Sequence, residues 1–214
     1  MKHLRFARGL LSLIVAACCC VAAPAHAGGG PLGIDHFVTA DDTGIWKRRN
    51  QQLLFTGMVA GLAATALWKG GEDRYGKTLW QSIDSVAVGG IACELLKVGF
   101  SRSRPDENPD PNKWFQGGKH VSFPSGEVTV ITSIVTPLVL EYRHDHPVVY
   151  ALELLPLYDA IARVKTHGHW QSDVLAGYAL GSAAGYYMHK RLKTPLTLGV
   201  LPHGFYVGLS HSFN

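Results

Sequence analysis

Three apolar segments rich in small residues constrain this chain more than any other feature: "MVAGLAATA" at Met58–Ala66, "VAVGGIA" at Val86–Ala92 and "LAGYALGSAAG" at Leu175–Gly185. Small side chains let helix backbones approach closely, either in a membrane or in a tight soluble bundle. The continuous apolar runs are mostly about ten to sixteen residues long, short of the roughly twenty that a bilayer span requires. The expectation is therefore an all-α helical bundle, soluble or peripherally attached, with membrane embedding as the alternative. The 214 residues, 47% of them hydrophobic, suit one domain with a substantial core.

Turn signals divide the chain into five helical segments across a domain of residues 45–193. The first spans about Ile45 to Trp68 and stops at Gly70-Gly71, which suits a C-cap. The second covers Arg74 to Phe100. A polar loop, "SRSRPDENPDPNKWFQGGKH", precedes a third segment from Ser125 to Arg143. A fourth follows "HDHP" and ends near Val164, with Pro156 expected to kink or break it. The fifth runs from Ser172 to about Leu192. Residues 28–44, opening with "GGGPLG", read as a flexible leader. Residues 194–214 carry β-branched and aromatic residues around Pro202–Gly204 and read as a short C-terminal β-hairpin.

Residues 1–27 read as a signal peptide. Lys2, Arg5 and Arg8 form a basic start, Gly9 to Ala23 is apolar, and "AHA" at Ala25–Ala27 is a cleavage signal. "VAAC" ending at Cys18 offers a rival lipoprotein route, and an integral membrane anchor is a third. Cleavage after Ala27 would remove Cys18, Cys19 and Cys20, leaving Cys93 with no disulfide partner. It would also remove three positive charges, taking the formal net charge from +4 to +1. A nearly neutral chain without a basic stripe argues against nucleic acid. Export without a disulfide framework suits a periplasm or cell envelope, and no Cys/His cluster has zinc spacing.

Chemistry-bearing residues gather in three places. In "KVGFSRSRP", Lys97 lies near a helix end and Arg102 and Arg104 follow, with Pro105 stiffening the exit. Such cations can simply complement a helix C-terminus. In "FPSGEV", Ser125 suits an N-cap and Gly126 permits close backbone approach, so the helix start suits a phosphate-like anion. Glu127 there is also explained by the helix dipole alone, at about 0.3–1 kcal/mol. In "ARVKTHGHWQSDVLAG", Arg163 closes one helix, and His169 and Asp173 stand four apart at the entry to the next. On one helical face the carboxylate can fix the imidazole tautomer and leave the other nitrogen to attack. His167 has no carboxylate four residues on and reads as a supporting or surface residue.

Together these residues resemble the type 2 phosphatidic acid phosphatase and vanadium haloperoxidase superfamily, with its pattern K-x6-R-P, P-S-G-H and S-R-x5-H-x3-D. Lys97, Arg104 and Pro105 match the first motif, and Pro124, Ser125 and Gly126 the second, where Glu127 replaces the histidine. In the third, Ala162 replaces the serine, while Arg163, His169 and Asp173 keep their spacing. The resemblance implies a compact helical bundle with its site at helix ends. Lys97, Arg104 and Arg163 would hold phosphoryl oxygens, with Ser125 and the Gly126 N–H completing the cradle. His169 would attack phosphorus to give a phosphohistidine, oriented by Asp173. No metal cofactor is implied, and vanadate would occupy the cradle as a phosphate mimic. The implied substrate is a phosphorylated lipid at a membrane surface or a small phosphorylated molecule.

Glu127 stands where the family's histidine protonates the leaving oxygen. A carboxylic acid can do this only while protonated. Three nearby cations and the helix N-terminus would hold it ionised at neutral pH, which predicts a phosphatase with an acidic optimum. The competing readings are a catalytically weakened phosphate-binding relic and an envelope structural protein.

Overall fold

The computed structural model describes residues 28–191 and, beyond them, the backbone alone of Leu196–Leu201 and Gly204–Leu209, paired as antiparallel strands. The signal segment and its cleavage site, like the turn and side chains of the expected hairpin, lie outside the described residues.

Five α-helices make up the described domain: α1 (Arg48–Lys69), α2 (Arg74–Phe100), α3 (Gly126–Tyr142), α4 (Leu154–Lys165) and α5 (Gln171–Arg191). Gly70 ends α1 with φ 65°, donating its N–H to Ala66 O. Asp73 then caps α2 by accepting from Gly76 N at 2.6 Å. The fourth segment breaks as Pro156 suggested. A 3-10 stretch, Pro147–Glu153, gives way to α4, and Pro156 falls in the first turn of α4, where a missing N–H costs no helical bond.

The central helix α3 packs between α2 and α5. Glycines four residues apart make the α3–α5 contact possible. A Cβ on Gly177 would lie 2.6 Å from Ser125 O, one on Gly181 2.4 Å from Thr129 O, and one on Gly185 2.5 Å from the Thr136 Cβ. Here small residues do what the sequence pattern predicts. On α1 they do not: Gly57 and Gly61 face open space, and that helix buries only Gln51, Leu62 and Ala66. Among the described residues no helix is long and apolar enough to cross a membrane.

The leader does not behave as a loose connector. Asp35 and Val38 are buried, and a bridge joins Gly29 to Asp35. The physical reason is polar: Asp35 meets a buried arginine and the start of α5, while His36 exchanges hydrogen bonds with Gln171. Val38 joins Val128, Ala160, Val164 and Val174 in one apolar cluster. Four members of that cluster are chain neighbours of Glu127, Asp159, Arg163 and Asp173, so the core fixes the backbone beneath the polar site.

Candidate active site

Arg104 and Arg163 line one cleft of about 310 Å³, together with Arg48, Asp42 and Asp106. Arg104 leaves the polar loop just after α2, and Arg163 comes from the last turn of α4. The Arg163 guanidinium lies over Gly168, where a Cβ would stand 2.2 Å from Nη2, so any side chain there would displace the guanidinium. Lys97, in the last turn of α2, stands against Gly126 in the same way: an added Cβ would lie 2.9 Å from its Nζ. Lys97 also donates to Glu94 at 2.7 Å.

Ser125 occupies the N-cap position of α3, but its hydroxyl caps nothing. Among the described residues it is buried without a hydrogen-bond partner, as are Arg104 Nε and Arg163 Nε. Buried donors are normally satisfied, and each left unpaired costs about 1–3 kcal/mol. Three such groups fall on family-matching residues, and each has a hydrogen bond left to give. The first N–H groups of α3 lie in the same segment.

His169 is 3% exposed, and its Nδ1 lies 2.7 Å from Ser122 O. A carbonyl can only accept, so Nδ1 carries the proton and Nε2 keeps a lone pair. Asp173 Oδ2 is further away, 3.8 Å from Nδ1. Its oxygens take the Ser122 hydroxyl at 2.5 Å, Trp170 N–H at 2.9 Å and Arg102 Nη1 at 2.6 Å. Asp173 thus holds Ser122, whose carbonyl holds the histidine. Burial, aided by Arg163 and Arg104, pushes His169 down to about 4, against the pull of Asp173. The imidazole is neutral and able to act as a nucleophile at ordinary pH.

Glu127 is clamped by Arg48. Nη1 donates to Oε2 at 2.6 Å and Nη2 donates to Oε1. Burial works to raise the carboxyl, but the Arg48 hydrogen bonds and the charges of Arg163 and Arg48 hold it below the usual glutamate range. Gln51, fully buried, accepts from Arg48 Nη1 at 3.1 Å and lies 3.5 Å from Arg163 Nη1. His167 stands apart: its Nε2 donates to Val38 O at 2.7 Å, and its ring packs on Phe37, tying down the leader. Among the described residues no three His, Cys, Asp or Glu side chains gather to hold a metal ion.

Sequence reasoning missed Arg48, Asp35 and Asp159, and gave Arg102 no role. Arg48 had a signal. "KRRN" places cations at the start of α1, where the helix dipole disfavours them, so a partner elsewhere was required. Arg102 is fully buried between Asp35 (2.5 Å) and Asp173 (2.6 Å). Asp159 is fully buried, and neither carboxylate oxygen has a hydrogen-bond partner among the described residues. Burial and the neighbouring Glu127 push it up to about 7.

His169 and Asp159 should bend the pH dependence of stability in opposite senses. His169 binds its proton less tightly when folded, so its contribution is present above 6.5 and is lost as pH falls toward 4. Asp159 binds its proton more tightly when folded, so its contribution is present below 3.8 and is lost as pH rises toward 7. Each effect is on the order of 3–4 kcal/mol, and they largely cancel in the intact protein. Urea unfolding of Asp159→Asn should show stability climbing between pH 4 and 6.5, and His169→Gln should show it falling. Parallel pH profiles for the two variants would contradict these protonation states.

The described residues bring cations, a buried hydroxyl and a helix N-terminus into the neighbourhood of a buried histidine. The PAP2 superfamily profile matches residues 78–195, more than half of the chain and all of the motif residues, and the chain belongs to that superfamily. A lipid A 1-phosphatase from Porphyromonas gingivalis is 30% identical over 119 residues, covering 55% of this chain. The match spans 24% of that protein's length. No solved structure matches the chain.

Proposed function

We propose that this chain is a phosphatase that removes a phosphoryl group from a phosphorylated lipid, or from a small phosphorylated molecule, through a phosphohistidine on His169. The observation that carries the reading is the set of unpaired buried donors, Arg104 Nε, Arg163 Nε and Ser125 Oγ, near a neutral His169. With Lys97 and the α3 N-terminus they would stabilise charge on the equatorial oxygens as Nε2 attacks phosphorus in line with the leaving oxygen. Water would then cleave the phosphohistidine. No step calls on a metal. A lipid phosphate is favoured because the Porphyromonas gingivalis relative is a lipid A 1-phosphatase. The proposed setting is the periplasm or envelope, with the mature protein starting at Gly28 and a hairpin tail following the helical domain.

Phosphate release from purified mature protein should be measured on phosphorylated lipids and soluble phosphomonoesters, with and without vanadate. Release blocked by vanadate supports the reading. Vanadate binding without turnover would instead favour a phosphate-binding relic, which the Arg48 clamp on Glu127 makes a specific rival. Lys97→Ala, Arg104→Ala and Arg163→Ala should each weaken vanadate binding by about 10- to 100-fold, since a charged hydrogen bond contributes about 1.5–3 kcal/mol. Calorimetric titration reads this directly, and unchanged affinity in all three would mean the cradle is misplaced.

A further inference from the structure

Glu127 is the one carboxylate at the family's general-acid position, yet as it stands it cannot donate a proton. It is ionised and held at both oxygens by Arg48. Any protonation of a leaving group through Glu127 needs two events: release from Arg48 and delivery of a proton.

The structure supplies a means for each. Arg48 lines the same cleft as Arg104 and Arg163, so a phosphoryl anion entering there competes with Glu127 for its guanidinium. Arg48 is also about a third exposed, and so has room to turn. Asp159 lies one turn before the cleft residue Arg163 on α4, completely buried, and neither of its oxygens has a hydrogen-bond partner among the described residues. The charged groups around it are Glu127 from α3, Arg48 from α1 and Arg163 from its own helix, with Tyr158 adjacent in the chain. A buried carboxyl with no donor aimed at it and a second carboxylate nearby is better neutral than charged.

We propose that Asp159 is the proton store of this site, a carboxylic acid that passes its proton to Glu127 when a phosphoryl anion draws Arg48 away. This rests on the phosphatase reading above and deepens it. The Asp159 O–H bond breaks as the Glu127 O–H bond forms, directly or across one water. Asp159 is left as a carboxylate facing Arg163. As His169 Nε2 bonds to phosphorus, the phosphorus–oxygen bond breaks and the Glu127 proton goes to the leaving oxygen. In the second half a water attacks the phosphohistidine, and its proton returns through Glu127 to Asp159. No proton is gained or lost over the cycle. Asp159 touches no substrate and acts through Glu127.

Difference infrared spectroscopy on the full-length mature protein tests this, with orthovanadate as the probe. At pH 6 the wild type should show a protonated-carboxyl band that is absent in Asp159→Asn. Vanadate should shift that band in the wild type but not in Glu127→Gln, which has no acceptor for the proton. Kinetics provide a second readout. Asp159→Asn should slow hydrolysis of an alkyl phosphate at least tenfold more than that of a nitrophenyl phosphate, whose leaving group needs no proton. A purely structural role would slow both equally. The proposal fails if the band survives in Asp159→Asn, if vanadate leaves it in place, or if both substrates slow alike. Should the band respond to vanadate while no phosphate ester is hydrolysed, the proton store stands and the phosphatase reading falls.

Discussion

His169→Ala is expected to abolish hydrolysis, with turnover falling by at least about a thousandfold while the helical fold persists. Removing a nucleophile is among the largest single losses an enzyme can suffer, because the remaining groups have no covalent step to assist. The fold should survive for a local reason. Among the described residues the ring's hydrogen bond is to the Ser122 carbonyl, and Ser122 stays held by its N–H to Arg102 O at 3.0 Å and by its hydroxyl to Asp173. The variant is informative only alongside a trapped intermediate. Acid quenching during turnover should capture acid-labile phosphoenzyme in wild type and none in the variant. A variant that retained turnover would remove His169 from the mechanism, whatever the spacing to Asp173 suggested.

The family-matching residues were legible because each motif is local. Lys97, Arg104, Ser125, Gly126, Arg163, His169 and Asp173 lie at helix ends, and helix ends announce themselves through Gly, Pro, Ser and the loss of periodicity. The turn signals place the second helix over about Arg74 to Phe100, and it spans those residues. What could not be read is what those residues pair with. Arg48 and Glu127 are 79 positions apart, and Asp35 and Arg102 are 67 apart. Period and spacing report which face a residue takes on its own helix. They do not say which distant segment is laid against that face.

The same limit explains the leader and Asp159. "GGGPLGIDHF" has the composition of a connector, and nothing local distinguishes Asp35 from a solvated aspartate. Its burial goes with Arg102, whose Nη2 donates to it, and with the start of α5, whose Ser172 N–H it accepts. Asp159 lies in "LYDAIARV" on a strongly amphipathic helix, where a carboxylate would ordinarily mark the wet face. Finding it on the dry face, unpaired, is information that only packing provides. Local rules failing at a polar site within a consistent helical frame is the pattern expected where function, rather than stability, chose the residue.

Arg102→Ala should be the most damaging single change to the fold, costing about 3–5 kcal/mol, the usual penalty for leaving buried charges without their partner. The arginine is wholly inaccessible and serves four groups at once: Asp35, Asp173, the Ser172 hydroxyl and Pro111 O, with Trp114 stacked at 4.2 Å. Arg102→Lys should recover little, because one ammonium cannot span two carboxylates in the geometry of a planar fork. Urea unfolding at pH 7 measures the loss. The deficit should narrow as pH falls through the carboxylate range, since a protonated Asp173 no longer needs a counter-ion. A loss under about 1 kcal/mol at pH 7 would overturn this account of the core, being no more than an exposed ion pair contributes. The catalytic consequence has its own signature. Arg102 fixes Asp173, Asp173 fixes the Ser122 hydroxyl, and the Ser122 carbonyl fixes the His169 tautomer. Loosening this chain should lower kcat while leaving vanadate affinity, which the proposed cradle of Lys97, Arg104 and Arg163 would set, nearly unchanged. An equal loss in both would mean that Arg102 supports the whole site rather than the nucleophile alone.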